Sequence, residues 1–150
     1  MHLIITVDDN MGLMFNKRRQ SRDNLLLQDL FELVGESALP TGGKLYVTPY
    51  SEKLLTEARK NLPPITAVEF SVWEDTLTLP GKGTYYFVEG EVPEGWALDT
   101  EKVILYRWNR VYPADTYFRW DLSANGFSVT ETKEFTGSSH EKITREVWTR

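Results

Sequence analysis

Residues 3–7, LIITV, form a run of branched apolar side chains broken only by one threonine. A strand that faces water on one side alternates apolar with polar residues, and this one does not, so it must be covered on both faces. A helix follows it. Ser21 or Asp23 can cap that helix, and Leu25, Leu26, Leu30, Leu33 and Val34 recur at helical spacing, with Gly35 as a stop and SALPTGG as a loop. Lys44 to Thr48 reads as a second strand. Ser51 then caps a second helix, with Leu54, Leu55 and Ala58 on one face and its end before Pro63-Pro64. Strand, helix, strand, helix in this order implies parallel strands joined by right-handed crossovers.

The second half changes character. Thr66 to Val72, Thr84 to Glu89, Val103 to Trp108, Phe127 to Glu134 and Ile143 to Trp148 read as strands, and the last two as an antiparallel hairpin across Phe135 to Lys142. No repeat, linker or low-complexity tract interrupts the chain. The expected fold is one α/β domain over residues 1–150, a mixed sheet with a parallel core and an antiparallel C-terminal hairpin.

Composition narrows the partners. Seventeen basic against 22 acidic residues give a net charge of −5, whereas nucleic-acid binding draws most of its affinity from basic side chains on phosphate. There is no cysteine, hence no disulfide, thiolate nucleophile or thiolate metal site. The start MHLIITVDD turns acidic too early for a signal peptide, and no apolar run approaches the roughly 20 residues that span a bilayer. A cytoplasmic protein with a small-molecule ligand, and with no nucleic acid or membrane as partner, is expected.

The segment DDNMGLMFNKRRQSRD, residues 8–23, crowds Asp8, Asp9 and Asp23 with Lys17, Arg18, Arg19 and Arg22 directly after the first strand. These charges can offset one another as a solvated loop. They can also make an anion site, because guanidinium forks beside the positive end of a helix suit phosphate or carboxylate. The loop leaves the C-terminal end of a parallel strand, where open α/β sheets bind ligands. Asp23 can cap the helix, pair in bidentate fashion with an amidine-like edge of a ligand, or do both.

The stretch VILYRWNRVYPADTYF, followed by GFSVTETKEF and ITREVWTR, resembles the closing pattern of the dihydrofolate reductase fold, with Asp115, Thr116 and Phe118 standing for its Asp-Thr-x-Phe motif. ITVDDNMG is similar to that family's first strand and mobile active-site loop, with Gly12 as the loop glycine. By this resemblance Asp23 lies near the family's substrate-binding acid. Asp8, Gly12, Arg18, Arg19, Arg22 and Ser51 would then contact ligand, with Asp23 as the catalytic group. The departures are also specific. Arg18 to Ser21 replace the family's Pro-Trp pair. Thr48-Pro49-Tyr50-Ser51 replaces the Gly-Arg-x-Thr turn that holds cofactor phosphates, and keeps only the hydroxyl. Glu89-Gly90-Glu91 replaces the glycine-rich turn that admits the cofactor pyrophosphate, so side chain and charge both oppose NADPH in the family's manner. FNKRRQSRD and SHEKIT are also similar to segments of small Firmicute proteins labelled ribonuclease Z. With only His2 and His140, a His-rich di-zinc hydrolase site cannot be built.

Other candidates have plainer readings. A neighbouring Ser and His in a hairpin loop seldom point at one another, so His140 in GSSHEK reads as a turn residue. Asp8-Asp9 alone makes a poor magnesium site, and no metal is assigned. The five tryptophans read as core, including Trp108, although Arg107 and Arg110 beside it could line a groove. The leading expectation is a divergent reductase-fold protein binding a small anionic or heteroaromatic, pterin- or nucleotide-like ligand between the first loop and the first two helices. The alternatives are an NADPH-dependent reductase of a pterin- or flavin-like substrate, and a non-enzymatic interaction factor of the immunity or phage-borne kind.

Overall fold

The computed structural model describes residues 1–37, 44–61, 68–75 and 77–150. The loop expected at SALPTGG, Pro63-Pro64 and the start of the strand expected from Thr66 fall largely outside these residues. The elements are β1 (His2–Val7), β2 (Gly12–Phe15), β3 (Arg18–Arg19), α1 (Asn24–Ser37), β4 (Lys44–Val47), α2 (Pro49–Asn61), β5 (Glu69–Val72) and β6 (Tyr85–Phe87). A short 3-10 helix (Glu94–Asp99), β7 (Lys102–Arg107), β8 (Thr116–Tyr117), β9 (Ser128–Phe135) and β10 (Ile143–Thr149) complete the chain.

The described residues form a seven-stranded sheet in the order β5-β4-β6-β1-β7-β10-β9. The neighbours from β5 to β7 pair in parallel, and β10 and β9 close the sheet antiparallel. This is the mixed architecture that the element order implies. β1 lies between β6 and β7, and Leu3, Ile4, Ile5 and Val7 are wholly buried. One core layer packs Ile4, Leu45, Val47, Ile104 and Tyr106 against Leu26, Leu27, Leu30 and Val34 of α1 and Leu54, Leu55 and Ala58 of α2. The opposite face joins Leu3, Ile5, Val103 and Leu105 to Phe118, Trp120, Leu122 and Phe127 from the segment between β7 and β9. Covering on both faces explains why β1 carries no polar alternation.

Three local expectations shift. α1 runs through Gly35 to Ser37, because helical hydrogen bonding tolerates one glycine at modest cost. α2 starts at Pro49, so its cap is Thr48 and not Ser51: the Thr48 carbonyl accepts from Ser51 N–H (3.0 Å) and Glu52 N–H (3.1 Å). Proline suits the first helical position, since its missing N–H would have no helical partner. The first loop is partly a hairpin, with β2 paired to both β3 and β8. The strand pairs of that small sheet are too short for periodicity to reveal.

Candidate functional site

Thr48, Glu89, Asp8 and Trp108 follow β4, β6, β1 and β7 at the C-terminal edge of the parallel strands, where the sheet of such folds leaves room for ligands. Local hydrogen bonds decide which of these side chains face a ligand and which serve the chain.

Asp8 serves the chain. It is 1% exposed, and its carboxylate accepts N–H bonds from Gly12 (2.7 Å), Asn10 (2.9 Å) and Tyr112 (3.0 Å). Gly12 must be glycine, because a Cβ there would lie 2.9 Å from Asp8 Oδ1 and 2.6 Å from Ala114 Cβ. Asp115, from the Asp-Thr-x-Phe motif, accepts from Asn16 N–H at 3.0 Å and so fixes the tip of the β2–β3 hairpin. Asp8 is thus engaged by three backbone donors inside the chain, whereas Asp115 is exposed and holds one. Among the described residues no group of three or more His, Asp or Glu converges as a metal would require.

The basic patch divides. Arg18 and Arg22 are exposed, whereas Arg19 turns inward. Arg19 Nε and Nη2 donate to the two oxygens of Glu89 at 2.7 and 3.0 Å, and its guanidinium lies 4.6 Å from the centre of the Tyr50 ring. Ser51 Oγ donates to Glu89 Oε1 at 2.7 Å. Arg19 and Ser51, both expected to meet a ligand, are therefore engaged with the chain's own carboxylate.

Asp23 caps α1, its Oδ1 accepting from Leu25 N–H (2.9 Å) and Leu26 N–H (3.2 Å). The β9–β10 turn folds over the same carboxylate, Ser138 N–H donating to Oδ1 (2.9 Å) and Ser139 N–H to Oδ2 (2.8 Å). Gly137 lets that turn approach, since a Cβ there would sit 2.8 Å from Asp23 Cγ. Burial alone would raise the Asp23 pKa. The N–H groups of Ser139 and Ser138, the His140 ring and the Leu26 N–H outweigh it and hold the acid well below the usual carboxylate range. With no free edge, Asp23 cannot form a bidentate pair with a ligand in this conformation.

His140, expected only as a turn residue whose serine neighbour points elsewhere, lies with its Nδ1 3.0 Å from Ser139 Oγ and reaches inward from the β9–β10 turn. It is buried, its Nδ1 lies 3.0 Å from Asp23 Oδ2, and its ring stacks on Trp108 at 4.6 Å between centres. An ionised carboxylate only accepts hydrogen bonds, so Nδ1 carries a proton, and in the neutral imidazole Nε2 then offers its lone pair. The Tyr112 hydroxyl is 2.7 Å from Nε2, and Ser21 Oγ is 3.3 Å away. This makes a carboxylate–imidazole–hydroxyl relay of the kind that moves protons in acid–base chemistry. Asp23 and His140 lie 117 residues apart, and no local pattern signals their meeting. Next to the relay is a cavity of about 610 Å³ lined by Trp108, Asn109, Arg110, Ser139, His140, Glu141 and Lys142.

No protein-family model matches the chain, and no curated protein matches it. A search of solved structures finds a dihydrofolate reductase from Enterococcus faecalis, described as complexed with NADP(H) and RAB-propyl. It superposes with a TM-score of 0.60 at 11% identity, over 99% of this chain and 95% of that one. The fold is dihydrofolate reductase-like. At that identity the likeness is one of fold, and the fit of the cofactor rests on this chain's own residues. They do not fit it. The turns at 48–51 and 89–91 meet, and the buried carboxylate of Glu89 lies between them where the resemblance puts a phosphate.

Proposed function

We propose that this reductase-fold protein binds a small anionic or heteroaromatic molecule, of pterin- or nucleotide-like size, in the cavity beside His140. The single observation that carries the reading is the Asp23–His140–Tyr112 relay, whose His140 lines that cavity. Arg110 and Lys142 supply cations at its wall, and Trp108 supplies aromatic surface. In this reading Asp23 keeps a place in the site without touching the ligand: it orients His140 and fixes its tautomer. His140 is then the group of the relay that meets a bound molecule, and Tyr112 is the hydroxyl that can exchange a proton with its Nε2. Exposed Arg18 and Arg22 remain free to meet the anionic end of a long ligand.

The test is titration with folate, dihydrofolate and mononucleotides, followed by melting temperature and by the NMR signals of the Trp108 indole and the His140 ring. A saturable shift at those two side chains, lost in Arg110→Ala plus Lys142→Ala while the ligand-free melting temperature holds, is the expected result. Absence of any shift, or one that survives the double substitution, would overturn the proposal.

A further inference from the structure

We infer that Glu89 is the chain's own occupant of the phosphate cradle at the start of α2, and that it shuts this turn to NADPH and other pyrophosphate-bearing cofactors. Four observations converge. First, Glu89 is 4% exposed, and its carboxylate takes hydrogen bonds from Ser51 Oγ and from two nitrogens of Arg19. Second, Thr48 Oγ1 donates to Ser51 Oγ at 3.1 Å, so the Ser51 proton is left for Glu89. The hydroxyls that could hold a phosphate are arranged for a carboxylate that is already present.

Third, the open side of the neighbouring glycine is covered. A Cβ on Gly90 would meet Met14 Sδ of β2 at 3.3 Å, so the hairpin lies where a pyrophosphate would approach this backbone. Fourth, the pair holds the hairpin in place: Arg19 N–H donates to Tyr50 Oη at 3.0 Å, beneath the guanidinium that reaches Glu89. A phosphate entering here would face a buried like charge and would have to compete for Arg19 and Ser51. It would also have to lift β2 from Gly90. Glu89 follows directly on buried Val88 beyond β6, so its backbone is held by the sheet and cannot carry the carboxylate away.

The experiment titrates the full-length protein with NADPH and with inorganic pyrophosphate, reading NADPH fluorescence and the amide signals of Ser51 and Gly90. The wild type is expected to show no saturable response up to about 1 mM, a concentration that detects even weak sites. Glu89→Gln preserves the side-chain shape and the Ser51 contact but removes the charge, and Glu89→Gly removes the side chain. At least one is expected to bind pyrophosphate about tenfold more tightly than the wild type, with the gain lost when Arg19→Ala is added. Saturable NADPH binding to the wild type with shifts at Ser51 and Gly90 would overturn the inference, and that measurement needs no variant to fold. Folded Glu89 variants with no gain would equally count against it.

Discussion

Replacing Asp23 by alanine removes both the cap of α1 and the anchor of the β9–β10 turn, and the two losses can be weighed separately. Capping alone is worth roughly 1 kcal/mol. The anchor adds the N–H groups of Ser138 and Ser139 and the His140 ring, which all lose a charged acceptor. A hydrogen bond to a charged group contributes about 1.5–3 kcal/mol when its loss leaves a donor unpaired, but water reaches the exposed serines and replaces part of this. About 2 kcal/mol is a reasonable remainder, for a total near 3 kcal/mol and a fall in melting temperature of roughly 6–12 °C for a chain of this size. Urea unfolding followed by tryptophan fluorescence gives the free energy, and amide exchange at Ser138 and Ser139 shows whether the turn has come loose. Asp23→Asn, which keeps an acceptor and loses the charge, should fall between. A loss no larger than the capping value, with exchange at the turn unchanged, would refute the idea that one carboxylate holds both ends.

Acid should unfold the protein through its buried carboxylates. Burial would raise the Asp29 pKa, but hydrogen bonds from Lys133 and Tyr106 and the charge of Arg145 more than offset it, so Asp29 joins Asp23 with a depressed folded pKa. The unfolded chain therefore binds these protons first, and stability that is full above the unfolded value near ~4 is lost as pH falls below it. Denaturant midpoints that stay flat down to about pH 2 would contradict this. Arg18→Ala should change stability by less than ~0.5 kcal/mol, while Arg19→Ala should cost roughly 2 kcal/mol by leaving buried Glu89 without its partner; equal effects in urea titrations would sink the distinction. Gly137→Ala should cost about 1–3 kcal/mol through the clash with Asp23, whereas Gly81→Ala, with nothing within 4 Å of its added Cβ, should be near neutral in the same thermal assay. Burial, followed by the charge of Asp29, raises the Tyr106 pKa well above that of free tyrosine. One of the seven tyrosines should thus ionise at 295 nm only on unfolding, and Tyr106→Phe should abolish that step.

The architecture was legible along the chain. The unalternating LIITV, two leucine-rich helices after capping residues, and the order strand–helix–strand–helix leave few topologies besides a parallel core. The Asp-Thr-x-Phe segment and the closing hairpin pointed to the dihydrofolate reductase-like fold that the structure shows. These features are legible because burial of one helix or strand face repeats with a short period along the chain. The site was legible only in part. Asp23 stood out as a cap, but its bond to His140 depends on a turn 117 residues away. Arg18 and Arg19 are indistinguishable neighbours in sequence, yet one is exposed and the other is spent on Glu89. Ser51 looked like the helix cap until the fold set it beneath that same carboxylate, with Thr48 as the cap. Only the tertiary structure could decide these assignments, because a charged side chain takes its role from whichever partner the chain path brings within about 3 Å, and no window of local sequence records that distance.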